Sequence, residues 1–264
     1  MRKHRSETRE RNYVQPSHLP GGLMKSLFIV AVAFLIGLTH LPSPALAQKP
    51  AAERFKHAIE RSEDSGRLLP LLLLPESGFP KELLDRAEIV AVFPRARRQS
   101  ALVRRFLEGY GVMSTRQENG WSLPAFYKFT SAPRKFSGTS EETLAVILLF
   151  LNKDAVSWFG EGKSKFKSDR AARLGPVGPL TEEQRKDLAG AQILVYTYYN
   201  GRVNSNTIDP DFFKDFIIDQ DNNVNKPLYG AKGHEILTGK KVAQASLPAG
   251  ISAFQEALHK YPTP

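Results

Sequence analysis

The hydrophobic positions of this 264-residue chain change period several times, and each change marks an element. Residues 50–61 place Phe55, Ala58 and Ile59 on one helical face, which predicts a first helix. Residues 68–74 then read LLPLLLL. Pro70 cuts this run and Pro75 closes it, so the expectation is an extended apolar segment packed over a core, not a long helix. Residues 79–87 predict a short helix with Pro80 in its first turn. Residues 89–93 predict a buried strand ended by Pro94. Alternation over 111–116 and 121–129, joined at Asn119-Gly120, predicts a hairpin. Trp121, Leu123, Ala125, Tyr127 and Phe129 share one face of its second strand, and Pro124 on the other face argues for an edge or a bulge.

Residues 144–151 are eight consecutive apolar positions, the pattern of a central strand buried on both faces and too short to span a bilayer. Asp154 is placed to cap a brief helix through Trp158 and Phe159, stopped by Gly160 and Gly162. Thr181-Glu-Glu-Gln184 is a capping box opening a helix that runs to Gly190. Residues 193–199 and 202–208 flank Asn200-Gly201 as a second hairpin. Residues 212–218 read as a further strand. Ile251, Phe254, Leu258 and Tyr261 stripe a C-terminal helix that Pro262 closes. The sum is six or seven strands, mostly joined by hairpins, with helices between them and at both ends. That is an α+β chain built on an antiparallel β-sheet or partly closed barrel with flanking helices. The alternating βα order of a parallel nucleotide-binding sheet is missing, as are internal repeats and low-complexity linkers.

The N-terminus has a different logic. From Met24, Lys25 precedes a twelve-residue apolar run over 27–38, and Ala45-Leu46-Ala47 comes after it. This is the layout of a secretory signal peptide at residues 24–47, with residues 1–23 an upstream extension. A membrane anchor would need about 20 apolar residues, and Pro42 and Pro44 interrupt this one. The expectation is therefore an exported protein, periplasmic or secreted, with residues 48–78 a helical or extended lead into a domain at 79–264. No cysteine follows the cleavage signal, so a lipoprotein is not expected, and zero cysteines in the whole chain leave stability to the core. Residues 1–47 hold six of the 37 basic and two of the 27 acidic residues. That leaves 31 basic against 25 acidic, or +6, in residues 48–264. This excess favours anionic partners, and export moves a phospholipid surface ahead of nucleic acid, which is not expected as a partner.

The chain lacks a phosphate-loop motif and a Gly-x-Ser-x-Gly elbow. His57, His234 and His259 are widely spaced and read as surface residues, so neither a metal site nor a cofactor is expected. Asp219-Gln-Asp221-Asn-Asn223 begins like a calcium loop, but Val224 stands where glycine is required and Gly230 where glutamate is required, leaving an Asx-rich turn. Gly175-Pro-Val-Gly178 is a rigid turn that would also let backbone approach a ligand. Two basic runs stand out. Arg95, Arg97, Arg98, Arg104 and Arg105 form one; Lys163, Lys165, Lys167, Arg170 and Arg173 form the other, with Asp169 the one acid inside either. Arginine suits phosphate because its planar fork donates two hydrogen bonds at once.

Several segments together resemble the SYLF-domain family, found in bacterial exported proteins and in eukaryotic actin-patch and endocytic proteins. They are Pro80-x-x-Leu83-Leu84-x-x-Ala87 with Val92-Phe93-Pro94; Gly109-x-Gly111-Val112; Gly120-Trp121-Ser122-x-Pro124-Ala125-Phe126; Gly175-Pro-Val-Gly178; Ile193-Leu194-x-Tyr196; Asn225-x-x-Leu228-Tyr229-Gly230; and Glu235-Ile236-Leu237-x-Gly239. The chain departs from the family where Arg97-Arg98-Gln-Ser-Ala-Leu, Phe136-Ser-Gly138-Thr and Arg202-Val-Asn-Ser-Asn replace glycine-rich stretches, and it looks like a divergent member. The resemblance implies a lipid-binding domain and supplies no catalytic residue. The resulting expectation is a non-enzymatic protein whose ten basic residues above meet anionic, phosphate-bearing headgroups. Phe55, Ile59, Leu71 and Leu72 would supply apolar contact with the membrane. The alternatives are an envelope protein–protein interaction module and a hydrolase using His234 and Glu235.

Overall fold

A row of positions without side chains decides how the sheet bends. The computed structural model describes residues 51–101, 104–135, 143–160, 162–166, 172–204, 213–239 and 247–261. The signal peptide and extension expected at 1–47, the strand expected over 205–208 and Pro262 lie outside the described residues. The strands are β1 (Ile89–Ala101), β2 (Arg104–Gln117), β3 (Gly120–Trp121), β4 (Ala125–Ser131), β5 (Arg134–Lys135), β6 (Thr143–Phe150), β7 (Ser164–Phe166), β8 (Ala172–Leu174), β9 (Ile193–Tyr199), β10 (Arg202–Val203) and β11 (Phe216–Gln220). They form one sheet in the order β10-β9-β6-β1-β2-β4-β11-β7, with β3 and β5 on β2 and β8 on β9. All pairings are antiparallel except β8 with β9. The helices are α1 (Ala51–Arg54), α2 (Lys56–Leu72), α3 (Lys81–Asp85), α4 (Glu182–Asp187), α5 (Asn222–Tyr229), α6 (Gly233–Leu237) and α7 (Ala253–His259). The fold is α+β, a curled and nearly closed sheet with flanking helices.

The curl can be measured from two rings. Phe150 on β6 and Phe166 on β7 are five strand steps apart in the sheet. A flat sheet would separate them by about 24 Å at ~4.8 Å per step, yet their ring centroids lie 5.9 Å apart. The sheet therefore wraps round an interior packed with aromatic rings. Phe166 stacks on Phe216 at 5.0 Å, Phe129 meets Phe216 at 5.5 Å, and Phe159 closes on Phe150 at 5.3 Å. Phe93 on β1 and Phe129 on β4 touch at 5.5 Å across the intervening β2. They can do so because β2 carries Gly109 and Gly111 there. A Cβ on Gly111 would fall inside contact with the Val92 carbonyl and the Phe93 backbone, and one on Gly109 would lie 2.9 Å from the Ala96 Cβ.

Pro94 does not end β1, as the sequence led one to expect. The strand continues to Ala101, with its register shifting between Val92 and Arg97 against β2 and between Phe93 and Ala96 against β6. The bulge takes Pro94 out of the ladder, where its missing N–H costs no pairing. Pro124 likewise falls in the gap between β3 and β4, and β4 is an internal strand paired with β2 and β11. The first hairpin turns on Glu118-Asn119, with Gly120 at φ 117° opening β3. The second turns on Asn200-Gly201, both at positive φ, as its two-residue loop requires. β6 is buried along seven of its eight residues, as its apolar run predicts. The last strand runs over Phe216–Gln220, later than the expected 212–218. The brief helix after β6 is 3-10, and its cap is Asn152 rather than Asp154.

The largest departure is at α2. It runs through Pro70 to Leu72 as a helix, where an extended segment was expected. Pro70 sits in the last turn, and the helix is held by packing: Ala58, Ser62, Ser65, Gly66, Leu69 and Leu72 form one buried stripe. Ser62 Oγ donates to the Ile251 carbonyl at 2.6 Å and accepts from the Phe254 N–H, tying α2 to the start of α7. Small side chains let the two helices approach: a Cβ on Gly66 would lie 2.8 Å from the Ala253 oxygen. Since Leu68, Leu69 and Leu72 belong to the main core, no break in packing separates residues 51–78 from the sheet.

Burial raises the pKa of Tyr127, Tyr196 and Tyr229 well above the usual phenol value, so all three must stay neutral in the fold. Their contribution is intact below about pH 10 and is lost as pH rises past it, by about 1.4 kcal/mol per pH unit for each ring. Denaturant melts between about pH 8 and pH 11 should show this loss, with ionisation of the three buried rings appearing only together with unfolding. Gly111→Ala should cost about 3 kcal/mol or more, because backbone must move. Gly190→Ala, which meets nothing within 4 Å, should stay within about 1 kcal/mol of the parent in the same melts.

Candidate functional site

The two basic runs meet different fates. Register places Arg104 opposite Ala101 and Lys135, and Arg105 opposite Ser100 and Arg134. The far end of the β1–β2 hairpin thus gathers cationic positions from two strands, β2 and β5, including Arg134 and Lys135, which the sequence reading missed. No acidic residue occurs over 95–107 or 132–135. Arg97 is exposed at the base of this end. Arg98 is not available to a membrane: it is 9% exposed and sits opposite buried Leu107 on the strand's inner side. Arg95 is exposed but bound to Asp64 at 2.7 Å, and Arg67 shares that carboxylate, which raises the Arg67 pKa.

The second run does not form one patch. Lys163 pairs with Asp219 at 3.3 Å, and Lys165 is exposed on β7. Arg173 lies on β8, beside β9, and donates to the Asp187 carbonyl. Lys167 and Arg170 lie outside the described residues. Lys165 does connect with the first run. The cross-strand row Arg97–Glu108–Thr130–Ile217–Lys165 crosses five strands on the sheet's outer face. Among the described residues, Arg97 and Lys165 are the exposed members of the two runs that lie in no salt bridge and donate no side-chain hydrogen bond.

The apolar run is sorted by the period of α2. Leu68, Leu69 and Leu72 are buried, whereas Leu71 is 44% and Leu74 42% exposed. Leu72, at 1%, is therefore withdrawn as a membrane contact, because its side chain packs in the core. Phe55 and Ile59 are half-buried against the same core. Pro70, Leu71, Leu74 and Pro75 form an exposed apolar corner. Val177 joins it, 51% exposed and packed over Gly78 from the 175–178 turn. That turn brings backbone close to a ring, not to a ligand. Gly175 has no room for a Cβ beside the Tyr196 ring, Tyr196 Oη donates to the Pro176 carbonyl, and Asn204 Nδ2 donates to the Gly175 carbonyl.

Beside the basic end lies a cleft of ≈ 360 Å³ between α2 and the β1–β2 hairpin. Pro94, at the bulge, and the Gly109 backbone line its floor. From α2 come Glu60, Arg61 and Asp64; from the hairpin come Arg95, Arg97, Glu108 and Tyr110. Arg61 is fixed by Asp221 at 2.7 Å and lies 4.7 Å from the Tyr110 ring centroid. Lys128 lies 5.4 Å from the same centroid. Burial opposes the charge on Lys128, but the Glu108 carboxylate at 2.9 Å outweighs it and the pKa is raised. The sequence carried a signal for this site, namely Glu60, Arg61 and Asp64 at helical spacing with Glu108 and Tyr110 alternating on a strand. It has meaning only once the two elements are known to pack together.

The histidines divide as well. His57 is exposed and 3.1 Å from Glu60. The His234 ring faces Gln220, and Glu235 accepts the Lys232 N–H at the start of α6. His259, read as a solvated residue, accepts the Trp121 N–H at Nε2, 3.1 Å away, while Gln255 donates to the Trp121 carbonyl. The Asx-rich turn is the β11–α5 connection, where Asp221 accepts the Val224 and Asn225 N–H groups through its carbonyl. Among the described residues no group of three metal-binding side chains gathers, and no helix is long and apolar enough to cross a membrane. No family model matches the chain, and a search of curated proteins finds no similar one.

The sorting of the leucine run is testable by substitution. Leu72→Ala should cost about 2–5 kcal/mol in a chemical melt, whereas Leu71→Ser should change stability by no more than about 0.5 kcal/mol.

Proposed function

We propose that the protein binds, without catalysis, to membrane surfaces rich in anionic, phosphate-bearing headgroups, and that it does so as an exported protein. The observation that carries this reading is the end of the β1–β2 hairpin, where Arg104, Arg105, Arg134 and Lys135 are brought together by register and no acidic residue occurs over 95–107 or 132–135. Each basic residue near an anionic leaflet contributes about 1 kcal/mol, screened within a Debye length. Arg97 and Lys165 at the two ends of one cross-strand row extend the cationic surface around the sheet. The exposed corner at Leu71, Leu74 and Val177 supplies apolar area that is otherwise solvated. The resemblance to SYLF domains, a lipid-binding family, points the same way.

Vesicle co-sedimentation tests the reading. Binding should be strong to vesicles containing phosphatidylglycerol, weak to pure phosphatidylcholine, and should fall as salt rises from about 50 to about 500 mM. Reversing charge at Arg97, Arg104 and Arg105 together should weaken binding at least about 100-fold. Arg98 is left intact because it is buried. Undiminished binding at high salt, or by the triple variant, would remove the electrostatic basis of the proposal.

A further inference from the structure

The geometry points to the cleft between α2 and the β1–β2 hairpin as a site for a single phospholipid headgroup carrying both a phosphate and a primary ammonium, of the phosphoethanolamine type. This rests on the membrane-binding reading but concerns a different property, saturable recognition of one headgroup in place of diffuse attraction.

The charges lining the cleft are what select such a ligand. Arg61, Arg95 and Arg97 stand against Glu60, Asp64 and Glu108. With three charges of each sign, the cleft offers a simple anion or a simple cation no net attraction. Most of these groups are also committed: Arg61 to Asp221, Arg95 to Asp64, and Glu108 to Lys128. The exceptions line the cleft from different elements. Arg97, on the hairpin wall, has no carboxylate in salt-bridge range among the described residues. Glu60, on the helix wall, is held only by its own helix neighbours Lys56 and His57. A guanidinium on one wall suits a phosphate, and a carboxylate on the other suits an ammonium. A primary ammonium can donate hydrogen bonds to Glu60, whereas a quaternary one cannot. The usual attraction of a quaternary ammonium is an aromatic face. Here Tyr110 already has the Arg61 guanidinium at 4.7 Å and the Lys128 ammonium at 5.4 Å from its ring.

The apolar corner makes a membrane lipid the source. Glu60 and Leu71 are eleven residues apart on α2, so they share one stripe about 16.5 Å apart. A headgroup seated between Arg97 and Glu60 therefore has exposed Leu71, with Leu74 and Val177 beyond it, along the path of its acyl chains.

Titration of the protein with O-phosphoethanolamine, inorganic phosphate and ethanolamine, followed by amide chemical shifts, tests the site without a membrane. O-phosphoethanolamine should shift Gly109 and Tyr110 and bind at least about tenfold tighter than either fragment, and both Arg97→Gln and Glu60→Gln should abolish that preference. In vesicles of fixed phosphatidylglycerol content, replacing phosphatidylcholine by phosphatidylethanolamine should tighten binding of the parent and not of Glu60→Gln. Phosphate binding as well as O-phosphoethanolamine, or shifts confined to the hairpin end, would overturn the inference while leaving vesicle binding standing. Headgroup binding without any vesicle binding would overturn the membrane reading and uphold the ligand class. Equal binding to both vesicle types would overturn the lipid as the source.

Discussion

The contact of Phe93 with Phe129 over the bare backbone of Gly109 and Gly111 is what the rest of the molecule depends on. Two missing side chains on β2 let the neighbouring strands lean together, and the bulge at Pro94 turns β1 in the same direction. Closing the sheet this far brings β7 back against β6 and shuts the aromatic interior. The same two features shape the outside. Where β1 bulges at Pro94, a cleft lies between the hairpin and α2. Interior packing and exterior cavity are thus two results of one backbone bend.

Much of the architecture was readable in the order of residues. The eight-residue apolar run became β6, both Asn-Gly sites became hairpins, and Thr181 and Gln184 form the expected reciprocal cap of α4. These are local signals, each fixed by a period or by the chemistry of a turn. What escaped were elements whose stability is tertiary. Helix α2 buries Ser62, Ser65 and Gly66, residues that look solvated until α7 is known to lie against them. Helix α5 contains Pro227 and is pinned by Asn225, whose side-chain amide both accepts from and donates to the Phe126 backbone at 2.8 Å. No helical period announces either contact.

The functional surface was partly visible for the same reason. Clusters in sequence are not clusters in space: Arg98 turned inward, Arg95 and Lys163 found carboxylates, and β7 and β8 divided the second run. Arg134 and Lys135 came beside Arg105 and Arg104 only through pairing with β2. Many of the residues that carry the SYLF resemblance serve packing. Gly111, Gly175, Asn225 and Tyr229 each allow or make a close contact within the fold, Tyr229 Oη by donating to the Pro124 carbonyl at 2.8 Å.

The bond from Trp121 to His259 has a chemical corollary. Since the indole residue's main-chain N–H is the donor, the imidazole must be the neutral tautomer with hydrogen on Nδ1 and a lone pair on Nε2. The C-terminal helix is therefore docked on the first hairpin through a ring lone pair, and the ring has room there because Gly120 carries no side chain.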